Sequence, residues 1–411
     1  MGNNYSPDIS FSIKRHDTGE RMILKLRKSK IVWLQLFIAF ILTIEPKLFT
    51  QYTITVLIYA VGNLAMFVIY FYKVCKGGKI SKYLFAWVCL EIYSLLIMII
   101  NGNVSDIDQW GYLTLMVCNY ILIIEWCVQN NYLKEMLTAL SAVCLIFIFI
   151  NAMSLLLFPN GIIPSKAIYD NGDGDYYFLG IKTAYTSYIF VALAASGICL
   201  MKYRMKKLCI LTVAVSVFNI LYANISTGIV CLVALLILIL IKKVFKMQIT
   251  MKFVLAMTII LNVAVVIFGA QYMFSGVIEN ILHKSMTLTG RTDIWSNALV
   301  QIKNQNLIAT IFGNGIVNGG SFVEFGNGLW PAHNQWIQNV FEYGIVGTLG
   351  LIVFMRNSIN KKSVILRTEN YLLNIIFVML IGTITMQYLG YAHVYLLFVL
   401  LKHADEIEET I

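Results

Sequence analysis

Residues 141–158 read SAVCLIFIFINAMSLLLF and contain no charged side chain. The segments 56–72 and 228–241 are apolar in the same way. A backbone that crosses hydrocarbon must satisfy its own hydrogen bonds, so apolar runs of about 20 residues predict membrane-spanning helices. We therefore expect an all-α polytopic membrane protein.

The composition of the whole chain supports the same fold class. Of 411 residues, 59% are hydrophobic and only 13% are charged, which is too little charge to cover a soluble domain of this size. The same criterion predicts about twelve spans, and eleven is the alternative because the first, seventh, eighth and last are short or poorly separated. The predicted spans are residues 31–47, 52–72, 83–101, 110–128, 136–158, 180–201, 208–223, 225–241, 252–272, 336–355, 371–388 and 390–402.

The distribution of Lys and Arg predicts the orientation of the chain. With a cytoplasmic N-terminus, 25 of the 31 basic residues fall in inside segments and five in outside segments, as the positive-inside rule requires. Residues 1–30 are then a cytoplasmic segment without a cleavable signal peptide, 31–402 the transmembrane domain and 403–411 a cytoplasmic tail. The net charge of +10 is mostly an orientation signal and gives no support for nucleic-acid binding.

One outside loop, residues 273–335 between the ninth and tenth spans, is much longer than the usual connection. Loops of this length are usually functional. Apolar residues recur at helical spacing over 291–302, which predicts an amphipathic helix lying on the membrane surface. The carboxylates of the loop (Glu279, Asp293 and Glu324) show no ligand spacing with its histidines, so no metal is expected.

Two basic residues of this loop suit catalysis. His333 lies at the predicted boundary between water and membrane, where a neutral imidazole can take a proton from an alcohol. Arg291 offers a planar, permanently charged group that matches phosphate geometry. Structural roles are the alternative: a histidine that caps the next helix, and an arginine that extends to lipid headgroups.

Polar residues also occur inside the predicted spans. Gln335, Asn339 and Glu342 recur on one side of the tenth span, so this stripe must face protein or a water-filled cavity rather than lipid. Glu91 and Lys182 are further charges in or near the membrane, and they are expected either to pair with each other or to act on a substrate.

Three motifs of the chain occur in the order found in a known family. They are Gly290-Arg-Thr-Asp-Ile-Trp295, Ile311-Phe-Gly-Asn-Gly315 and the run that begins His333-Asn-Gln-Trp and ends at Gly347. Over about residues 176–350 the chain resembles the O-antigen ligase/polymerase family, whose polymerase branch assembles bacterial surface polysaccharides.

The resemblance implies specific residue roles. In that family an Arg early in the large loop and the His of the His-Asn motif are needed for activity, which implies catalytic roles for Arg291 and His333. A second basic residue, usually Arg, corresponds best to Lys182, and Asn334 and Glu342 join it as expected substrate-binding residues. No cofactor is implied.

The function implied is polymerisation of polyprenyl-diphosphate-linked (undecaprenyl diphosphate) repeat units into capsule or O-antigen by a membrane glycosyltransferase. The reaction would take place on the outer face of the bacterial plasma membrane. Donor and acceptor are then lipid-linked glycans, and a flippase and a chain-length regulator are expected partners. The alternatives are a polysaccharide ligase of the same family, a flippase or other transporter of lipid-linked units, and a structural scaffold.

Overall fold

The computed structural model describes residues 28–78, 80–164, 175–245, 248–280, 288, 290–326, 328–359 and 366–409. Residues 165–174 and most of the predicted cytoplasmic segment 1–30 lie outside these ranges. The described chain is helical apart from short turns and one small hairpin.

The N-terminal half consists of long apolar helices joined by short connections. A 3-10 turn, Lys47–Gln51, joins the first two, and another, Val104–Asp106, precedes the fourth. The helices are α1 (28–43), α2 (Thr53–Lys76), α3 (Lys82–Ile100), α4 (Ile107–Gln129) and α5 (Leu133–Leu157). Polar side chains fix some of the boundaries: the hydroxyl of Ser81 accepts a hydrogen bond from the Leu84 N–H and so caps α3.

The C-terminal half contains the long loop and further apolar helices. Its helices are α6 (Tyr185–Tyr203), α7 (Lys206–Tyr222), α8 (Ser226–Phe245), α9 (Met251–Val266), α10 (Ser275–Asn280), α11 (Arg291–Asn304), α12 (Leu307–Phe312), α13 (Gln335–Arg356), α14 (Arg367–Gly382), α15 (Tyr395–Lys402) and α16 (Ala404–Glu409). Between α12 and α13, strands β1 (Val323–Phe325) and β2 (Gly328–Trp330) form an antiparallel hairpin in which Val323 pairs with Trp330.

Six helical stretches of the described chain are long and apolar enough to cross a membrane, which makes this an all-α, multi-pass membrane protein. They are Thr53–Lys76, Lys82–Ile100, Val104–Gln129, Leu133–Leu157, Lys182–Tyr203 and Gln335–Arg356. Each of the other predicted spans also overlaps a helix, and all of these helices except α8 have 17 residues or fewer. The number of about twelve crossings therefore stays a prediction.

Burial places α6 at the centre and α2 at the edge of the bundle. In the apolar windows of these helices, 89% of residues are buried in α6 but only 22% in α2. Around α6 pack α5, α7 and α14, while α13 packs against α3 and α9. Because α2 exposes most of its apolar residues, its outer face is suited to contact lipid.

The described residues of the long loop are folded rather than extended. The amphipathic helix predicted at 291–302 is confirmed as α11, whose Ile294, Trp295 and Ala298 are buried. These side chains pack against the hairpin and the start of α13, including Val323 and Ile337. The prediction that this face lies on the membrane surface is therefore wrong for these three residues, because the loop supplies its own apolar partner surface.

Candidate functional site

His333 lies between the hairpin and the first turn of α13. Its backbone has φ = +50°, a left-handed conformation that is uncommon for residues other than glycine. Both neighbours are fully buried, and the Ala332 N–H donates to Gln338 Oε1 at 2.9 Å. The half-buried imidazole is thus carried on a backbone that is fixed on either side.

The residue that caps α13 is Asn334, not His333. Its Oδ1 accepts hydrogen bonds from the N–H groups of Trp336 and Ile337, both at 3.0 Å. Its Nδ2 donates to Asn262 Oδ1 at 3.0 Å and to the Ile384 carbonyl at 2.9 Å. The Asn334 side chain therefore joins α13 to α9 and to the segment after α14, and its predicted role in substrate binding stays a prediction.

In the structure, Arg291 lies close enough to His333 for its charge to affect the imidazole. Arg291 is the first residue of α11, directly after Gly290 at φ = +79°, and its Nη2 lies 3.6 Å from Met386 Sδ. Burial, which is the larger cause, and the positive charge of Arg291 together lower the pKa of His333 from 6.5 to about 4. At neutral pH the imidazole is therefore uncharged and able to accept a proton.

A cavity of about 170 Å³ lies beside the first turns of α13. Glu45 and Lys47 from the α1–α2 connection, Glu91 of α3 and Glu342 of α13 contribute ionisable groups to its lining, as does His393, which precedes α15. The lining does not include His333, Arg291, Asn334 or Lys182. The candidate site therefore has two parts, the Arg291–His333 pair and this polar cavity.

The polar stripe predicted on α13 faces the cavity, which confirms that it avoids lipid. Gln335 Nε2 donates to Asn339 Oδ1 at 2.9 Å, and Gln338 Nε2 donates to Glu342 Oε1 at 2.6 Å. Gln338, which sequence reasoning missed, occupies the position i+3 from Gln335 and shares its face. Helical spacing of amides alone could have identified it.

Residues 383–391 connect the two parts of the site. The Thr383 carbonyl accepts from the Gln335 N–H at 3.0 Å, and Gln387 Nε2 donates to Gln338 Oε1 at 2.7 Å. Met386 contacts Arg291, whereas Gln387 lines the cavity. This segment therefore lies between Arg291 and the cavity and is hydrogen-bonded to the start of α13.

A break in α13 lies two residues after Glu342. Gly344 has φ = +65° and ψ = −174°, so the helical hydrogen bonds are interrupted there. The carbonyls of residues 341–343 accept instead from the N–H groups of Asn314 and Gly315, at 3.0 and 2.8 Å, and from the Tyr93 hydroxyl at 3.0 Å. A broken helix is tolerated at membrane depth when protein groups satisfy the freed carbonyls in this way.

Lys182 lies in the 3-10 turn Lys182–Ala184 that precedes α6. The lysine that lines the cavity is Lys47. Lys47 packs against the segment that precedes α6, where a Cβ added at Gly180 would lie 2.6 Å from Lys47 Cβ. Glu91 accepts a hydrogen bond from Thr114 Oγ1 at 2.7 Å. Among the described residues, Glu91 and Lys182 do not form an ion pair with each other. Sequence reasoning missed Lys47, because a lysine near a helix end gives no signal of its own.

Within the described ranges, no group of three His, Cys, Asp or Glu side chains is arranged to hold a metal ion. Comparison with known proteins found no family model, curated protein or solved structure that matches the chain.

Proposed function

We propose that this protein polymerises polyprenyl-diphosphate-linked oligosaccharide repeat units into a bacterial surface polysaccharide, a capsule or an O-antigen. The observation that carries the proposal is the pairing of Arg291 with an uncharged His333 beside a polar cavity. A base and a permanent cation are the two groups that glycosyl transfer from a diphosphate donor needs. The motif resemblance at both positions supports the same assignment.

In the proposed reaction, His333 removes the proton of an acceptor hydroxyl while that oxygen attacks the anomeric carbon of the donor. The bond between the anomeric carbon and the diphosphate oxygen breaks, and its electron pair stays on the diphosphate. Arg291 stabilises the charge that develops there, with a fork of donors suited to phosphate oxygens. Cleavage of this activated bond drives the reaction, so ATP is not required, and the chemistry proposed uses no metal.

The proposed orientation places both termini in the cytoplasm and the loop 273–335 outside, with about twelve crossings. Two hydrogen bonds support the prediction that the outside segments lie on the same side of the membrane. Asn103 Nδ2 donates to the Asn314 carbonyl at 2.6 Å, and the Gly319 N–H donates to Asp106 Oδ1 at 3.0 Å. The connection between α3 and α4 therefore contacts the long loop, as expected if both segments lie on the same side of the membrane.

Analysis of lipid-linked glycan from a deletion strain tests the proposal against its alternatives. Loss of a polymerase leaves single repeat units on the lipid at the outer face. Long lipid-linked polymer would identify a ligase, and single units confined to the inner face would identify a flippase. Complementation with the intact chain should restore polymer in the first case, and unaltered polymer in the deletion strain would refute all three functions.

A further inference from the structure

The cavity beside α13 presents polar groups that the fold does not use. Asn339 and Ser94 both line it and are only 1% and 4% exposed. Neither Asn339 Nδ2 nor Ser94 Oγ has a hydrogen-bond partner among the described residues. Because Gln335 binds Asn339 Oδ1, the amide is held with its NH₂ group unused. Buried polar groups are normally hydrogen-bonded, and because these two face a cavity, a ligand there can supply the missing partners.

Two carboxylates of the same lining have no ion-pair partner among the described side chains. Glu91 accepts from Thr114, and Glu342 accepts from Gln338 at 2.6 Å. A carboxylate has about four acceptor positions, so each retains capacity for a ligand's donors. The cation of the lining, Lys47, is near a third carboxylate, Glu45, and its charge is offset there.

The ionisable and hydrogen-bonding groups of the lining favour one chemical class of ligand. A diphosphate offers acceptor oxygens, whereas sugar hydroxyl groups can both donate to the carboxyl oxygens of the lining and accept from Asn339. Trp87, Tyr343 and Tyr395 also line the cavity, and aromatic faces pack well against the carbon–hydrogen face of a sugar ring. The lining therefore suits a sugar rather than a lipid phosphate.

We propose that this cavity binds the terminal sugar ring of the acceptor glycan, with Asn339 and Ser94 hydrogen-bonded to its hydroxyls and Glu91 and Glu342 accepting from them. The assignment rests on the proposed polymerase function. It places the acceptor beside the first turns of α13, close in the chain to His333. The donor diphosphate would then lie at Arg291, on the other side of the segment 383–391.

Equilibrium binding tests the assignment without turnover. The probe is the repeat-unit oligosaccharide, released from its lipid by mild acid and dephosphorylated, added to the full-length protein in lipid nanodiscs. Wild-type protein should bind it. Asn339→Leu and Ser94→Ala should each weaken binding by about tenfold, the effect of losing one buried hydrogen bond. Asn339→Asp, which keeps the shape but replaces the donor, should weaken it as well and serves if the leucine variant does not fold.

Matched controls are available outside the cavity. Asn374 of α14 and Ser216 of α7 are buried, at 2% and 0% exposed, and each has a side-chain oxygen without a partner among the described residues. Asn374→Leu and Ser216→Ala should bind the probe as the wild type does, and excess pyrophosphate should not displace it. Equal losses in the controls, displacement by pyrophosphate, or no binding by the wild type would each refute the sugar site.

The polymerase function and the sugar site can be refuted independently of each other. A protein that binds the oligosaccharide but makes no polymer from lipid-linked units retains the sugar site and refutes the polymerase function. A protein that makes polymer but does not bind the oligosaccharide retains the function and refutes the site.

Discussion

At the scale of single residues, the environment of His333 decides how the proposed chemistry depends on pH. Burial, with the nearby charge of Arg291, lowers the pKa of the imidazole from 6.5 to about 4. The neutral form that acts as a base is then present at all pH values well above 4. An exposed histidine would instead lose its base form as the pH falls through 6.5.

The first prediction follows from the lowered pKa of His333. The rate of polymerisation should be nearly constant from neutral pH down to about 5 and should fall only as the pH approaches 4. Arg291→Gln should shift this acidic limb to higher pH, because it removes a positive charge that disfavours the protonated ring. Initial rates from pH 4 to 8, with protein stability followed in parallel, measure both effects. An acidic limb centred near 6.5 in the wild type would contradict the described burial of His333.

Asn334 provides the second prediction, which separates structure from chemistry at neighbouring residues. Asn334→Ala removes a helix cap and two buried donors at once, so it should destabilise the protein by about 2–3 kcal/mol. Asn334→Asp should recover part of this loss, since its oxygen can still cap α13. Thermal unfolding in detergent measures the order wild type, Asp, Ala, with His333→Ala close to the wild type as the control. A greater loss of stability from His333→Ala than from Asn334→Ala would reverse the assigned roles.

At the scale of elements, the break in α13 is the feature that depends most on one residue, Gly344. Gly344 adopts a combination of φ and ψ that is essentially restricted to glycine. A Cβ at this position would also overlap the carbonyl oxygen of Ile311. The close approach of α12 to α13 therefore depends on glycine in both conformation and space.

The third prediction is that Gly344→Ala will strongly destabilise the folded protein, by more than about 3 kcal/mol, because strain and overlap act together. The matched control is Gly111→Ala in α4, where an added Cβ meets nothing within 4 Å and where alanine favours the helix. Melting temperatures of the two variants in detergent should move in opposite directions. A Gly344→Ala protein with wild-type stability would show that α13 is not broken there.

The same helix shows how far the sequence predicts the structure. The apolar length of α13 and the stripe of Gln335, Asn339 and Glu342 follow from composition and helical spacing, and both are confirmed. The break does not follow, because single glycines are common in membrane helices. Its cause is the tertiary contact with Asn314 and Gly315, which no local pattern contains.

The candidate site was predictable to a similar extent. Arg291 and His333 were identified by their chemistry and by motif resemblance, and the structure brings them together. A cavity facing the polar stripe of α13 was one of two predicted alternatives, but the rest of its lining was not predicted, because it comes from side chains as distant in the chain as Glu45, Glu91 and Gln387. Assembly of such residues depends on how helices pack, and helical spacing carries no information about that packing.

At the scale of the whole molecule, the fourth prediction concerns orientation. Single cysteines at Ser105 and Asn318, both exposed and in segments predicted to lie outside, should react with an impermeant maleimide in intact cells. A cysteine at the exposed residue Asn130 should react only after permeabilisation. The background carries Cys75→Ser and Cys89→Ser, because both of these cysteines are exposed. Labelling of position 130 together with position 318 in intact cells would contradict the proposed orientation.

The central claim is that His333 and Arg291 catalyse the joining of lipid-linked repeat units. The most direct test is to reconstitute the protein with such units and to read the products as a ladder on a gel. The wild type should give a ladder, with or without EDTA. His333→Ala should lower the rate by about 10²–10⁴-fold and Arg291→Ala by about 10²–10³-fold. Arg291→Lys should recover little, since a point charge lacks the fork of donors, whereas Lys303→Ala on the same helix should keep the wild-type rate. Wild-type ladders from both well-folded alanine variants would contradict the account.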